Sequence, residues 1–131
     1  MVAHSRMMLI GIGVDAVDLR DFAHTMSTDG EFFLSNFTDR ERAYAGVGPH
    51  QLERLAGRFA GKEAVLKALG VGWGDGIEWS DIEVERLETG APTVQLYGTP
   101  ARLADERGVL RWVISLTHTN TTAIAVAIAV A

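Results

Sequence analysis

The stretch "TAIAVAIAV", residues 122–130, alternates strictly after its first residue: alanines 123, 125, 127 and 129 fall on one face of an extended chain, and Ile124, Val126, Ile128 and Val130 on the other. Such a strand has two apolar faces, one of them nearly flat, and a row of alanines admits another element at close range. "RWVISLTH" stands one short turn upstream, so the two segments are predicted to form a hairpin. A second apolar run, Met8 to Val14, places Leu9, Gly11, Gly13 and Asp15 on one face and Ile10, Ile12 and Val14 on the other. It reads as a buried strand with one nearly bare face, not as a signal segment, because it holds two glycines and leads into Asp15.

Between these strands the pattern is mixed. Asp18 with Asp21 three residues on, and Thr38 with Glu41, are helix N-terminal capping pairs. Residues 51–69 lack proline and repeat apolar side chains (Leu52, Leu55, Ala56, Phe59, Leu66) at three- and four-residue steps, which predicts a long helix beginning near His50. "GVGWGDG" then reads as a loop, and "DIEVERL" and "PTVQLYG" as two strands joined by a turn at "ETGA". "TPARLADERG" reads as a short helix with proline near its start and glycine after its end. The order implies an α+β fold with helices packed on a mostly antiparallel sheet. The chain is read as one domain over residues 1–131, with residues 1–6 expected to be disordered.

Within the predicted long helix, Glu63 projects within about 20° of Leu52 and lies between Phe59 and Leu66, where the core should be. Burying a lone carboxylate costs several kcal/mol, so it must be neutral, paired or metal-bound. Lys67, four residues on, offers an ordinary helix pair as the simpler account. Asp15 beside bare glycines leaves room for a ligand, or it caps the helix that follows. His118, at the end of "ISLTH", is either a turn histidine or part of a site.

Taken together, Asp15 and Glu63 offer two hard oxygen ligands of the kind magnesium accepts while keeping waters and phosphate oxygens. Arg58, Lys62, Lys67 and His118 supply charge to neutralise those phosphates. Residues 1–67 hold eight Lys/Arg against nine Asp/Glu, whereas residues 68–131 hold four against eight. The net charge of −5 and the absence of a basic stripe argue against nucleic acid, and "AIAVAIAVA" is far shorter than the roughly 20 residues that span a bilayer. With no cysteine, the chain has neither disulfide nor thiolate chemistry, and a cytoplasmic location is expected. A Walker-type phosphate loop is absent, as is the dinucleotide fingerprint.

Three motifs carry a resemblance. "GIGVD" at 11–15, "GRFAGKEAVLKALGVG" at 57–72 and "ISLTHTNTTAIAVAI" at 114–128 resemble the holo-[acyl-carrier-protein] synthases, the short 4'-phosphopantetheinyl transferases. The middle motif, F-x-x-K-E-A-x-x-K-A from Phe59 to Ala68, is the most specific. The resemblance implies transfer of the phosphopantetheine arm of coenzyme A to a serine of apo-acyl carrier protein, or of a carrier domain in a synthase. The other product is adenosine 3',5'-bisphosphate, and the pathway served is fatty acid or polyketide biosynthesis. It implies that Asp15 and Glu63 hold magnesium, or manganese, that Asp15, Glu63 and Lys67 are catalytic, and that Arg58, Lys62, Lys67, Gly70, Gly72 and His118 bind coenzyme A. A homotrimer with sites at subunit interfaces also comes with the resemblance. Relatives commonly carry a basic residue six positions after the motif aspartate. Asp21 stands there in this chain, so carrier docking is expected at Arg20, Arg40 or Arg42. The competing expectations are a magnesium-dependent phosphohydrolase of a small nucleotide and a non-catalytic α+β ligand-binding module.

Overall fold

Strand β5 (Thr122–Val130) is the centre of a three-stranded antiparallel sheet, flanked by β1 (Leu9–Asp18) and β4 (Arg111–His118). The computed structural model describes residues 6–74 and 76–131, so the expected disorder of residues 1–6 falls, for 1–5, outside the described residues. Register brings the two flat faces together: Gly11 pairs with Ala129, Gly13 with Ala127 and Asp15 with Ala125. Helix α4 (Gln51–Leu69) lies on that surface. A Cβ built on Gly11 would stand 1.9 Å from the Ala68 carbonyl oxygen, and one on Gly13 1.9 Å from that of Ala64. Helix backbone therefore rests on strand backbone, which only glycine permits at those two positions.

The glycines and alanines explain why α4 is buried nearly all round rather than along the predicted stripe. Leu55, Ala60, Ala64, Val65, Leu66 and Leu69 are buried, whereas Leu52 and Phe59 are only partly so. Each fully buried leucine or valine contributes about 2 kcal/mol by leaving water. One side of α4 meets the sheet and β2 (Ile82–Arg86), which pairs antiparallel with β3 (Pro92–Leu96). The other side meets α1 (Leu19–Thr28), α2 (Gly30–Asn36) and α3 (Asp39–Ala45), through a cluster containing Phe22, Phe32, Phe37 and Phe59. Helix α5 (Gly98–Glu106) joins β3 to β4. The α+β arrangement is the one expected from the order of elements.

Both predicted caps form. Asp18 accepts from the Asp21 N–H, and Thr38 and Glu41 make a reciprocal capping box. Two boundaries differ from expectation. Strand β1 continues through Asp15 to Asp18, so Asp15 is a strand residue and Asp18, not Asp15, caps α1. Helix α2, for which adjacent phenylalanines give no helical period, is started by Asp29 accepting from the Phe32 N–H. The outer face of the sheet carries Ile12, Val14 and Val113, 60%, 56% and 46% exposed, so a contiguous apolar surface is left open to solvent in the single chain.

Candidate active site

Because Gly11 and Gly13 let α4 touch β1, the next residue on that face, Asp15, emerges at the edge of the helix beside Glu63 and Lys67. Lys67 Nζ donates to Asp15 Oδ1 at 2.7 Å and to the Val14 carbonyl at 3.1 Å. The lysine is thus directed to the strand, and the simple helix pair with Glu63 is not its arrangement. Asp15 is buried, and its Oδ2 has no hydrogen-bond partner. Glu63 is half-buried beside it: burial, reinforced by the adjoining Asp15 carboxylate, pushes its pKa up from 4.5 to about 7, and Lys67 opposes this. Asp15 in turn raises the Lys67 pKa.

Two carboxylates from separate elements, one with an orphaned buried oxygen and the other reluctant to ionise, fit a divalent cation that brings its own waters and a substrate phosphate. Among the described residues no group of three or more His, Asp or Glu side chains is placed to share a metal.

A second feature lies elsewhere on α4. Arg58 and Glu63 are five residues apart, about 140° around the helix axis. Arg58 is buried at the wall of a cleft of about 290 Å³ shared with Tyr44, Arg54, Arg86, Thr117 and His118. Burial lowers its pKa, and its Nε and Nη2 have no partner. His118 Nε2 lies 3.8 Å from Glu53 Oε2, and its Nδ1 is 3.3 Å from the Thr119 carbonyl oxygen. None of Asp15, Glu63 and Lys67 lines this cleft.

Lys62 belongs to neither feature, contrary to the expectation that it contacts coenzyme A. It is fully buried, and its Nζ donates to Glu41 Oε1 at 2.7 Å, to the Trp79 carbonyl at 2.9 Å and to the Ile82 carbonyl. An ammonium has three N–H donors, so none is left for a phosphate. Gly70 ends α4 with φ of 74°, its N–H reaching the Leu66 and Lys67 carbonyls, and Gly72 borders open space. Of the expected docking residues, Arg20 is exposed on α1, Arg40 donates to Glu85 at 2.7 Å, and Arg42 is tied to Asp39 and to the Phe37 carbonyl. Tyr44 and Arg86 went unnoticed in the sequence, where neither stands in a motif.

Residues 11–129, which include both features, match the 4'-phosphopantetheinyl transferase superfamily. The chain belongs to that superfamily. Within it, the holo-[acyl-carrier-protein] synthase of Solibacter usitatus is 41% identical over 113 residues, 86% of this chain and 90% of the relative. The phosphopantetheinyl transferase fold is equally plain in solved structures. The holo-ACP-synthase of Plasmodium yoelii superposes with a TM-score of 0.83 at 26% identity, covering 96% of this chain and 98% of that one. The ACPS-CoA complex of Chronobacterium ammoniagenes superposes with a TM-score of 0.80 at 30% identity, covering 95% and 97%. In this superfamily member the first two motifs supply Asp15, Glu63 and Lys67, which lie together, and the second and third supply Arg58 and His118, which share the cleft.

Proposed function

We propose that this chain is a holo-[acyl-carrier-protein] synthase: it transfers the 4'-phosphopantetheine group of coenzyme A to a serine of apo-acyl carrier protein and releases adenosine 3',5'-bisphosphate. The observation that carries the reading is the convergence of Asp15, from one end of the chain, with Glu63 and Lys67 from α4 around a buried, unpartnered carboxylate oxygen. Asp15 and Glu63 would hold a magnesium ion, or manganese, which when bound neutralises phosphate oxygens.

The chain's own groups do the rest. Glu63, set beside Asp15 at the site, takes the proton of the attacking serine hydroxyl. The serine oxygen bonds to the β-phosphorus as the bond from that phosphorus to the bridging oxygen breaks. Lys67, held at the site by Asp15, offsets the negative charge that collects on the departing bisphosphate. Arg58 and His118 bind the donor's remaining phosphate, and Arg20 is the docking residue least engaged with its own chain.

A single chain turns the two features to different sides of α4. A homotrimer, with each site built across a subunit boundary, brings one chain's carboxylates to its neighbour's cleft, and the apolar outer face of the sheet gives the copies a surface to meet on. No helix among the described residues is long and apolar enough to cross a membrane. Coenzyme A and a carrier protein as substrates correspond to a cytoplasmic location.

The test is mass spectrometry of apo-acyl carrier protein incubated with the protein, coenzyme A and magnesium, with an EDTA control and sedimentation of the same sample. The expected result is a gain of one phosphopantetheine mass that EDTA abolishes, from a sedimenting trimer. Turnover of coenzyme A without carrier protein identifies a phosphohydrolase instead. Neither turnover nor coenzyme A binding leaves a non-catalytic module.

A further inference from the structure

Strand β2 carries an acidic pair that the transfer reaction does not use. Alternation sends Ile82 and Val84 into the core and places Glu83 and Glu85 on the opposite face. Glu83 is nevertheless as buried as a core residue, 4% exposed, and its Oε1 has no hydrogen-bond partner. Three contacts tie α3 to this part of β2. Glu41 Oε2 accepts from the Val84 N–H at 3.1 Å, Arg40 Nη1 donates to Glu85 Oε1 at 2.7 Å, and Arg86 stands 5.0 Å from the centroid of the Tyr44 ring. The cations here are already committed: Lys62 of α4 to Glu41 and two carbonyls, and Arg40 to Glu85. Asp81, in the turn Trp79–Asp81, acts on Lys62 together with Glu83, and Tyr97, just before α5, has its pKa raised by burial and then by Glu83 and Glu85. Neither brings a positive charge. Glu41, Glu83 and Glu85 thus share two cations, and Glu83 is the one left over.

What Glu83 needs is a proton. Two ionised carboxylates offer each other acceptors only, whereas a protonated Glu83 donates to Glu85 and satisfies the buried oxygen. Burial first, then the Glu85 carboxylate and the charge of Glu41, raise the Glu83 pKa, with Thr38 opposing. Glu83 first, with Arg40 behind it, lowers that of Glu85 against its own burial. We propose that Glu83 and Glu85 share one proton that latches β2 to α3, and that losing it shifts α3 at the edge of the cleft. With both groups ionised, repulsion among Glu41, Glu83 and Glu85 acts between α3 and β2. Glu41 and Lys62 are locked in the core, so the partly exposed Arg40–Glu85 bridge is the contact that yields. Helix α3 has seven residues and ends at Gly46, whose φ of 65° favours glycine, so its far end turns about the buried Glu41. That end carries Tyr44, on whose ring Arg58, Arg86 and Arg54 gather at 3.7, 5.0 and 5.6 Å, and a small shift of α3 therefore reshapes the cleft.

Carboxyl-carbon NMR of the glutamate-labelled full chain tests this. The pair titrates in two steps, one below and one above the ordinary glutamate value of about 4.3, and the Tyr44 ring signals move with the upper step. Glu63, pushed up to about 7, is told apart by Glu63→Gln. In Glu83→Gln the amide donates to Glu85 at every pH, so the upper step disappears and the Tyr44 signals stay still. Arg40→Ala, at an exposed position, takes away a positive charge and moves the upper step higher. Thermal melting checks that each variant is folded. The donor readout rests on the transferase reading: in calorimetry with magnesium, the Kd of coenzyme A rises about fivefold through the upper step in the wild-type protein and not in Glu83→Gln. Ordinary single titrations for both carboxyls, or an upper step that Arg40→Ala leaves in place, overturn the latch. Tyr44 signals or coenzyme A affinity with the same pH profile in Glu83→Gln overturn it too. An intact two-step titration with coupled Tyr44 signals, in a protein that binds no coenzyme A, overturns the transferase reading and leaves the latch standing.

Discussion

Replacing Lys62 by methionine separates a structural lysine from a phosphate-binding one. Methionine fills most of the space of the buried stem but removes Nζ together with its charge and its three donors. Three acceptors lose their donor: Glu41 Oε1 and the carbonyls of Trp79 and Ile82. Glu41 keeps the Thr38 N–H at 3.0 Å and the Val84 N–H at 3.1 Å, so its loss sits at the lower end of the range for a broken buried pair, about 3 kcal/mol. The two carbonyls add about 1 kcal/mol between them, because each retains a second lone pair. A total near 4 kcal/mol is a large part of the stability of a domain of this size. In urea, with a slope of about 2 kcal/mol/M, the midpoint falls by roughly 2 M. Adding Glu41→Gln removes the uncompensated charge and restores about 1–2 kcal/mol, a coupling that a double-mutant cycle reads directly. Under conditions where Lys62→Met is folded, its KM for coenzyme A stays within twofold of wild type. An unchanged urea midpoint together with a raised KM would refute the structural assignment.

The close contact of strand and helix makes a second prediction. A Cβ at Gly13 would lie 1.9 Å from the Ala64 oxygen and 2.8 Å from the Ala68 nitrogen, so Gly13→Ala must push α4 away by about 1 Å or more, costing about 3 kcal/mol in unfolding experiments and lowering kcat/KM about 100-fold. Gly72→Ala, where a Cβ meets open space, is the control, and equal behaviour of the two substitutions would rule the contact out as the cause. The third prediction concerns pH in EDTA. Glu63 has its pKa raised from 4.5 to about 7, so the folded chain holds this proton more tightly than the unfolded one. The resulting stability is fully present below about pH 4.5 and is lost as pH rises through 7. A full shift of this size is about 3 kcal/mol, and solvent screening of a half-buried group reduces it to about 1 kcal/mol. Glu63→Gln flattens that part of the stability profile and lowers kcat about 100-fold; a profile identical to wild type contradicts the assignment.

Much of the fold was legible because period and small residues agree. The strict alternation of β5 and the glycines of β1 both announced a flat face, and register sets them side by side. Glu63 was legible for a similar reason, since helix geometry places a carboxylate on the apolar stripe, and the fold sets it beside Asp15. The two lysines of the middle motif were not separable in this way. Lys62 and Lys67 differ in role because Glu41, far away in the sequence, reaches the one and Asp15 the other. The cluster around Tyr44 gathers side chains from α3, α4 and β2, and no local pattern reveals such a meeting. Helix α2 was missed because a capping aspartate, and not hydrophobic spacing, starts it.

The position of β5 in the sheet also governs when the protein can first work. Neither β1 nor β4 pairs with the other; each finds its hydrogen-bonded neighbour only in β5, and Leu9 waits for Val130. A ribosome therefore has to deliver Thr122–Val130 before Asp15 has a strand to lie against. Until then the nascent chain holds its glycine-faced first strand without a mate. Activity should appear all at once, only after β5 has been made, and stalling a few codons short of Thr122 should yield a chain in which α4 has been made but the carboxylate it needs beside Glu63 has not been brought to it.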